Sequence, residues 1–168
     1  MPDRLRSLPL GLPAALAGVD AILHAGDVTR RRVLDQLAEI APVHAVAGNR
    51  DFGLRLPLDR VLEFEGVRLG LTHGHGGWGG YLREKVLNLT VGYHLDRYIR
   101  LVRDRFAGQP VQAIVFGHSH RAVNMIQDGV LLFNPGSVAP DYHEPFHGPG
   151  VGVLTITHGS IRGELVPV

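Results

Sequence analysis

The sequence predicts an α/β fold built on a mixed β-sheet, and three observations lead to this fold class. Two apolar runs, residues 19–25 and 43–47, flank a segment with helical spacing of apolar residues, which is the strand–helix–strand order typical of parallel strands. Three other pairs of apolar runs are separated only by short turns that contain glycine, which predicts antiparallel hairpins. The length of 168 residues, 45% of them hydrophobic, suits one domain, residues 1–168, with a substantial core.

The hairpins are predicted where glycine permits a tight turn. Their turns are Glu65-Gly66, Asp128-Gly129 and His158-Gly159-Ser160. A further apolar strand ends at Phe116, between the first and second hairpins. The hairpin strands are residues 61–64, 67–71, 122–127, 130–133, 151–157 and 161–166.

Helices are predicted in three regions. Pro13 opens a short helix, and Thr29 is expected to cap a second helix that Pro42 stops. A glycine-rich loop, residues 74–80, leads into two apolar stripes with a break at Gly92, so two helices or one kinked helix are expected to cover the sheet. The stripes are Leu82, Val86 and Leu89, followed by Leu95, Ile99, Val102 and Phe106.

The composition excludes several classes of protein and site. A formal net charge of +1 predicts no extended basic surface, so nucleic acid is not expected as a partner. The chain has no cysteine, so a metal would have to be bound through oxygen and imidazole ligands. No apolar run approaches the about 18 residues that cross a bilayer, and the start has no signal-peptide pattern. We therefore expect a cytoplasmic protein without a membrane partner.

Polar residues typical of metal sites follow four of the predicted strands. These residues are Asp27, Asn49, His73 and the pair His118 and His120. The carboxyl ends of strands in an open α/β sheet form one edge where ligands bind, so side chains distant in sequence can converge there. Imidazoles two residues apart on extended backbone lie on the same face and can bind one ion or two neighbouring ions.

Each of these residues also has a structural explanation when it is considered alone. Asp27 could be a charge at a helix N-terminus, Asn49 a turn residue and His73 a satisfied histidine at a strand end. The His-x-His pair could be a surface or capping feature. Four further histidines are interpreted as structural: His24, His44, His94 and His158. His143 and His147 are interpreted as residues of a surface loop, which could also overhang the site.

The order of the four motifs is more specific than any one of them. Gly-Asp at 26–27, Gly-Asn-x-Asp at 48–51, His-Gly-His at 73–75 and Gly-His-x-His at 117–120 follow one another along the chain. This set resembles the calcineurin-like metallophosphoesterases, and its compactness resembles their small bacterial and archaeal phosphodiesterase branch. The resemblance implies a four-layer sandwich of two mixed β-sheets flanked by helices. It also implies hydrolysis of a small phosphoester, above all a phosphodiester, by a metal-activated water at a dinuclear site.

The same resemblance implies a role for each motif residue. Asp27 would bridge two divalent ions, Asn49, His73 and His118 would bind one of them, and His120 would face the other. Manganese is the ion expected from the family, and iron, cobalt, nickel and zinc also suit nitrogen and oxygen ligands.

Arg50 is the first departure from the family pattern. It stands where larger relatives have a histidine that can protonate the leaving group. Because a guanidinium keeps its proton, Arg50 could neutralise phosphate charge but could not serve as the acid. We predict that His75 takes this role.

The second departure is the absence of the family's first motif, an Asp-x-His at the end of a first strand. Residues 1–4 resemble the segment that follows this motif in relatives, so we expect the native chain to start upstream and the first strand to be missing here. The second ion would then retain only Asp27 and His120. The alternative function is a catalytically impaired scaffold that binds protein partners, as some relatives of this fold are. The oligomeric state is left open.

Overall fold

The computed structural model describes residues 8–92, 94–139 and 149–168, and within them the chain forms four α-helices and nine β-strands. In chain order these are α1 (Leu12–Ala15), β1 (Ile22–His24), α2 (Arg31–Ala38), β2 (Val43–Ala45), β3 (Asp59–Phe64), β4 (Val67–Thr72), α3 (Gly77–Val91), α4 (Leu95–Asp104), β5 (Ala113–Phe116), β6 (Val123–Gln127), β7 (Val130–Asn134), β8 (Gly150–Thr157) and β9 (Ser160–Pro167). Within the described ranges, every helix is too short or too polar to cross a bilayer. The residues 1–4 and the histidines His143 and His147 lie outside these ranges.

Five strands form a mixed sheet in the order β3-β4-β5-β7-β6. The three central strands are parallel, and the edge strands β3 and β6 are antiparallel to their neighbours. Strands β1 and β2 form a separate parallel pair, and β8 and β9 form an antiparallel pair. The predicted α/β class with a mixed sheet is confirmed.

The alternation of side chains along β5 divides the core between the two faces of the five-stranded sheet. Ile114 and Phe116 belong to a buried cluster with residues of α4. Ala113 and Val115 belong to a second cluster, against which residues of β1, β8 and β9 pack. A third cluster joins β1 and β8 to α1 and α2. The layers are therefore α4, the five-stranded sheet, the two strand pairs, and the helices α1 and α2.

The three predicted hairpins are confirmed, and their turns share one backbone pattern. Each turn places a non-glycine residue and then a glycine in the left-handed region, as a two-residue type I′ connection requires. The φ angles are 48° and 77° at Glu65 and Gly66, and 49° and 75° at Asp128 and Gly129. Glycine adopts this conformation without the steric cost that a Cβ atom adds.

Thr29 was predicted to cap the second helix, and this prediction is wrong. The residue at the cap position is Arg30, which makes no side-chain capping bond, and α2 begins at Arg31. Thr29 has a left-handed backbone with φ of 63°, and its N–H donates to Asp51 Oδ1 at 2.8 Å. A tertiary contact thus determines the conformation of Thr29, against the local capping preference.

The two helices predicted after residue 80 are separate, since α3 ends at Val91 before Gly92 and α4 begins at Leu95, but only the second covers the sheet. Side chains of α4 are buried in the core, among them Ile99 at 3% exposure. The predicted stripe of α3 is instead exposed, with Leu82 at 63%, Val86 at 52% and Leu89 at 80%. Helical spacing places these three side chains on one face, but it does not determine what that face contacts.

Candidate functional site

The strand ends bring the predicted site residues to one edge of the fold. Strands β4 and β5 are parallel neighbours, with Thr72 opposite Phe116, so His73 and Gly117 leave the sheet side by side. The parallel pair of β1 and β2 ends at His24 and Ala45, and the loops that follow carry Asp27 and Asn49.

His73 lies at the centre of the cluster. Its ring is 2% exposed, and its Nδ1–H donates a hydrogen bond to the carbonyl oxygen of Ala25 at 2.6 Å. A carbonyl oxygen can only accept, so the proton of the neutral ring is on Nδ1 and the lone pair is on Nε2. A backbone carbonyl that fixes the tautomer in this way is typical of histidines that bind metals through the other nitrogen.

Oxygen and nitrogen atoms that could bind a metal, from three other segments, surround His73 Nε2. Asn49 Oδ1 lies at 3.1 Å, His118 Nδ1 at 3.2 Å and Asp27 Oδ1 at 3.5 Å. Ligands about 2.1 Å from one ion are separated from each other by about 3.0 to 3.4 Å, so these spacings are those of neighbouring ligands. The lone pair of Nε2 and the oxygens of Asn49 and Asp27 also face one another without a proton, and a bound cation would stabilise such an arrangement. The donor set therefore fits a divalent metal.

The cluster is not yet a complete coordination shell. In the described part of the chain, no three His, Asp or Glu side chains have donors placed around a common point. The Nδ1 atom of His118 contacts His73 Nε2 directly, so the rings have to rotate to enclose an ion between them.

Burial keeps the two histidines neutral. Desolvation lowers the pKa of His73 to about 4 and, with the repulsion of His73, lowers the pKa of His118 to about 3. His120 lies close enough to contribute to both shifts. A neutral imidazole is the form that binds metals, so the protein holds both rings in that form at neutral pH.

Two loops of the cluster are joined by carboxylates. Asp51 is 9% exposed and accepts from Thr29 N at 2.8 Å and from Gly48 N at 2.7 Å. Asp27 Oδ1 accepts from Arg50 N at 2.9 Å. These bonds link the loop after β1 to the loop after β2.

Gly48 permits the close approach of these loops. A Cβ atom at this position would lie 2.2 Å from both the amide nitrogen and the Oδ1 atom of Asp27. A side chain here would therefore displace the carboxylate from His73.

Comparison of the sequence with protein families identifies the chain. The model of the calcineurin-like phosphoesterase superfamily domain matches residues 6–159. The chain belongs to the calcineurin-like phosphoesterase superfamily.

Two archaeal members of this superfamily are named probable metallophosphoesterases. The protein of Methanothermobacter thermautotrophicus is 30% identical over 170 residues, which cover 99% of this chain and 86% of the relative. The protein of Methanocaldococcus jannaschii is 32% identical over 137 residues, which cover 80% of this chain and 62% of the relative.

Solved structures of other proteins share the fold. A single mutant of Vps29 from Entamoeba histolytica has a TM-score of 0.72 at 23% identity. The alignment covers 99% of this chain and 93% of the Vps29 chain. The solution structure of a Thermotoga maritima protein has a TM-score of 0.62 at 28% identity, and the alignment covers 100% of this chain and 93% of that protein. Wild-type Vps29 from the same Entamoeba species was solved in complex with zinc. Its TM-score is 0.69 at 21% identity, and the alignment covers 99% of this chain and 93% of the Vps29 chain.

The two residues predicted to act on the substrate, Arg50 and His75, both lie beside the cluster. The Nε atom of Arg50 lies 3.9 Å from Asp27 Oδ2, and its side chain is 39% exposed. The His75 ring is buried, with its centre 5.2 Å from that of His73 and 6.3 Å from that of His118. Burial lowers the pKa of His75, and the charge of Asp27 opposes this shift.

Three of the predicted metal ligands have a left-handed backbone. The φ angles are 58° at Asp27, 67° at His118 and 57° at His120. Such conformations cost roughly 1–3 kcal/mol each for residues other than glycine, and they cluster at functional sites where the surroundings hold them.

Three residues that support the cluster were not predicted from the sequence. Asp51 joins two loops, as described above. Tyr98 and Asn134 are buried, and both donate hydrogen bonds to the carbonyl oxygen of Gly117. Tyr98 belongs to the buried side of α4, so its sequence position signals burial but not a hydroxyl that reaches the site.

The other described histidines are outside the donor set. His44 packs edge-on against Phe64, with ring centres 5.9 Å apart, and His94 is exposed before α4. His24 is neutral because burial lowers its pKa, and its Nδ1 has no hydrogen-bond partner among the described residues. The predictions for His143 and His147 fall outside the described residues.

Proposed function

We propose that the chain is a metal-dependent phosphoesterase that hydrolyses small phosphodiesters at a site that holds two ions when it is complete. The observation that carries this proposal is the approach of Asn49, His118 and Asp27 to His73 Nε2 at 3.1 to 3.5 Å. A phosphomonoester substrate is a variant within the same class. Membership of the calcineurin-like phosphoesterase superfamily supports the reaction class.

The proposed metal ligands divide between two ions. Asn49, His73 and His118 would hold one ion, Asp27 would serve both ions, and His120 would hold the second. Divalent ions held in this way lower the pKa of water and neutralise phosphoryl oxygens. Manganese is proposed first, and the zinc complex of Vps29 supports zinc as a second choice.

The remaining groups act on the substrate directly. The Arg50 guanidinium, partly exposed beside Asp27, binds a non-bridging phosphate oxygen and offsets its charge. His75 donates a proton to the oxygen of the leaving group. Both roles use side chains that adjoin the donor cluster and do not belong to it.

The proposal is tested with an activated diester, bis(p-nitrophenyl) phosphate, and protein treated with chelator and then loaded with Mn²⁺ or Zn²⁺. We expect metal-dependent release of p-nitrophenol that His118→Ala reduces at least about 100-fold. His94→Ala, which removes an exposed histidine outside the cluster, is the matched control and should retain the rate. Equal rates in the two variants would contradict the proposal.

The alternative is a scaffold that binds a protein partner. The exposed apolar face of α3, formed by Leu82, Val86 and Leu89, favours it, because exposed apolar stripes are typical of partner surfaces. The two functions differ in their need for metal. A folded protein that binds neither Mn²⁺ nor Zn²⁺ and hydrolyses no diester would favour the scaffold.

A further inference from the structure

The hydroxyl group of Tyr98 lies between the two loops that present the central histidines. It is 3.1 Å from the carbonyl oxygen of His73 and 2.8 Å from that of Gly117. Its one proton is shared between these two acceptors. Tyr98 lies on α4 and is 4% exposed, so a helix outside the parallel strands contacts the ends of both β4 and β5.

The ring of Tyr98 also contacts the site. It stacks on His118, with ring centres 6.1 Å apart and planes inclined by 29°. One side chain therefore bonds to the main chain of His73 and packs on the imidazole of His118.

The loop after β4 is shaped to receive this hydroxyl. Gly74 has φ of 87°, and a Cβ atom there would lie 2.3 Å from the Tyr98 oxygen. A side chain at position 74 would exclude the hydroxyl from its place between the two carbonyls. The sequence His-Gly-His thus provides the space that Tyr98 occupies.

The hydrogen bond from Tyr98 to the Gly117 carbonyl lies next to a residue with a strained, left-handed backbone. His118 follows Gly117 directly and has φ of 67°. The carbonyl oxygen of Gly117 accepts from Tyr98 and also from Asn134 Nδ2 at 3.1 Å. Asn134 in turn donates to Ser119 Oγ at 3.1 Å. These bonds orient the peptide before His118, and so they hold its ring toward His73.

We propose that Tyr98 is a positioning residue that sets the spacing between His73 and His118 for metal binding. The inference rests on the proposed function only in naming metal as the ligand. Without the hydroxyl, the two loops lose their common donor, and the peptide before the left-handed His118 keeps only the bond from Asn134. The distance between the two imidazoles then varies, and the affinity for the first ion falls.

The test compares Tyr98→Phe with Phe106→Leu. Tyr98→Phe keeps the ring that stacks on His118 and removes the hydroxyl. Phe106 is equally buried, at 4% exposure, and packs in the same cluster as Tyr98, with its ring over Gly70 in β4, so Phe106→Leu reports loss of packing. Titration with Mn²⁺ should show about tenfold weaker binding for Tyr98→Phe and unchanged binding for folded Phe106→Leu.

A second measurement does not depend on metal. The imidazole nitrogen signals of His73 and His118, followed by NMR in metal-free protein at pH 8, should shift or broaden in Tyr98→Phe and stay in place in Phe106→Leu. Unchanged signals together with unchanged Mn²⁺ affinity in Tyr98→Phe would overturn the positioning role. If the wild-type protein binds no metal, the proposed function fails. The histidine signals alone then test whether Tyr98 positions His73 and His118.

Discussion

His73 donates its Nδ1 proton to the carbonyl oxygen of Ala25 at 2.6 Å, across 48 residues of chain. The bond joins the end of β4 to the loop after β1. It fixes the tautomer of His73, so the lone pair of Nε2 faces Asp27, Asn49 and His118.

Asp27 is predicted to be required for both metal affinity and hydrolysis. Asp27→Asn keeps the shape of the side chain and an oxygen that can accept from Arg50 N, but it removes the charge that a bridging ligand supplies. Metal affinity measured by calorimetry and the rate of diester hydrolysis should fall together, each by more than about tenfold. Asp35→Asn, at an exposed carboxylate on α2, is the control. Unchanged metal content and rate in Asp27→Asn would exclude the bridging role.

His75 is predicted to protonate the leaving group. An acid matters most when the leaving group is a poor one, because more negative charge develops on its oxygen. His75→Ala should therefore slow hydrolysis of an alkyl aryl phosphodiester that loses its alcohol much more than hydrolysis of bis(p-nitrophenyl) phosphate. Steady-state rates for the two substrates provide the comparison. Equal losses for both would show that His75 is not the acid.

The 168-residue chain is predicted to bind about one metal ion tightly. Asp27, Asn49, His73 and His118 can together hold one ion, whereas the second ion has only Asp27 and His120 among the described residues. Two protein ligands seldom hold an ion tightly. Metal analysis after gel filtration should give a ratio near one, and diester hydrolysis should be slow. A ratio of two would contradict this and would direct mutagenesis to His143 and His147.

The metal-free protein is predicted to lose stability in mild acid. The pKa of His73 is about 4 and that of His118 about 3 in the native state, against an ordinary value of 6.5 in the unfolded chain. As the pH falls below 6.5, the unfolded state takes up these protons first, so the free energy of unfolding decreases as the pH is lowered toward about 4. Denaturant unfolding in EDTA at pH 7.5, 6 and 5 measures this change.

His118→Asn provides the control for the acid effect. It removes one titrating imidazole, and asparagine tolerates the left-handed backbone of this position. Its stability should depend less on pH than that of the wild type. Parallel pH profiles for the two proteins would show that the buried imidazole is not the cause.

Asp51 is predicted to stabilise the fold by joining the two loops. Asp51→Ala leaves the N–H groups of Thr29 and Gly48 without their acceptor, which should cost roughly 2–4 kcal/mol in the free energy of unfolding. Asp35→Ala, which removes an exposed pair with Arg31, should cost less than about 0.5 kcal/mol. Denaturant unfolding of both variants tests this difference. An equal, small loss in both would show that the Asp51 bonds contribute little.

The hairpins and the metal motifs show how much the sequence predicts. The turns at Glu65-Gly66 and Asp128-Gly129 were predicted because glycine and its neighbour specify a turn locally. Asp27, Asn49, His73 and His118 were predicted as one group from strand ends and motif order, and the structure brings their donors within 3.5 Å of His73 Nε2. Their role as metal ligands stays a prediction. Thr29 was misassigned because its partner, Asp51, is 22 residues away.

The sequence by itself determined the α/β class, the order of the strands along the chain and the superfamily motifs, because alternation, helical spacing and glycine turns are local properties. The tertiary structure decided which strands are neighbours, that the apolar face of α3 is exposed while that of α4 is buried, and that Tyr98 bonds to the carbonyl oxygens of His73 and Gly117. These features depend on distances between segments far apart in the chain. A single sequence specifies such distances only through the packing of the whole fold.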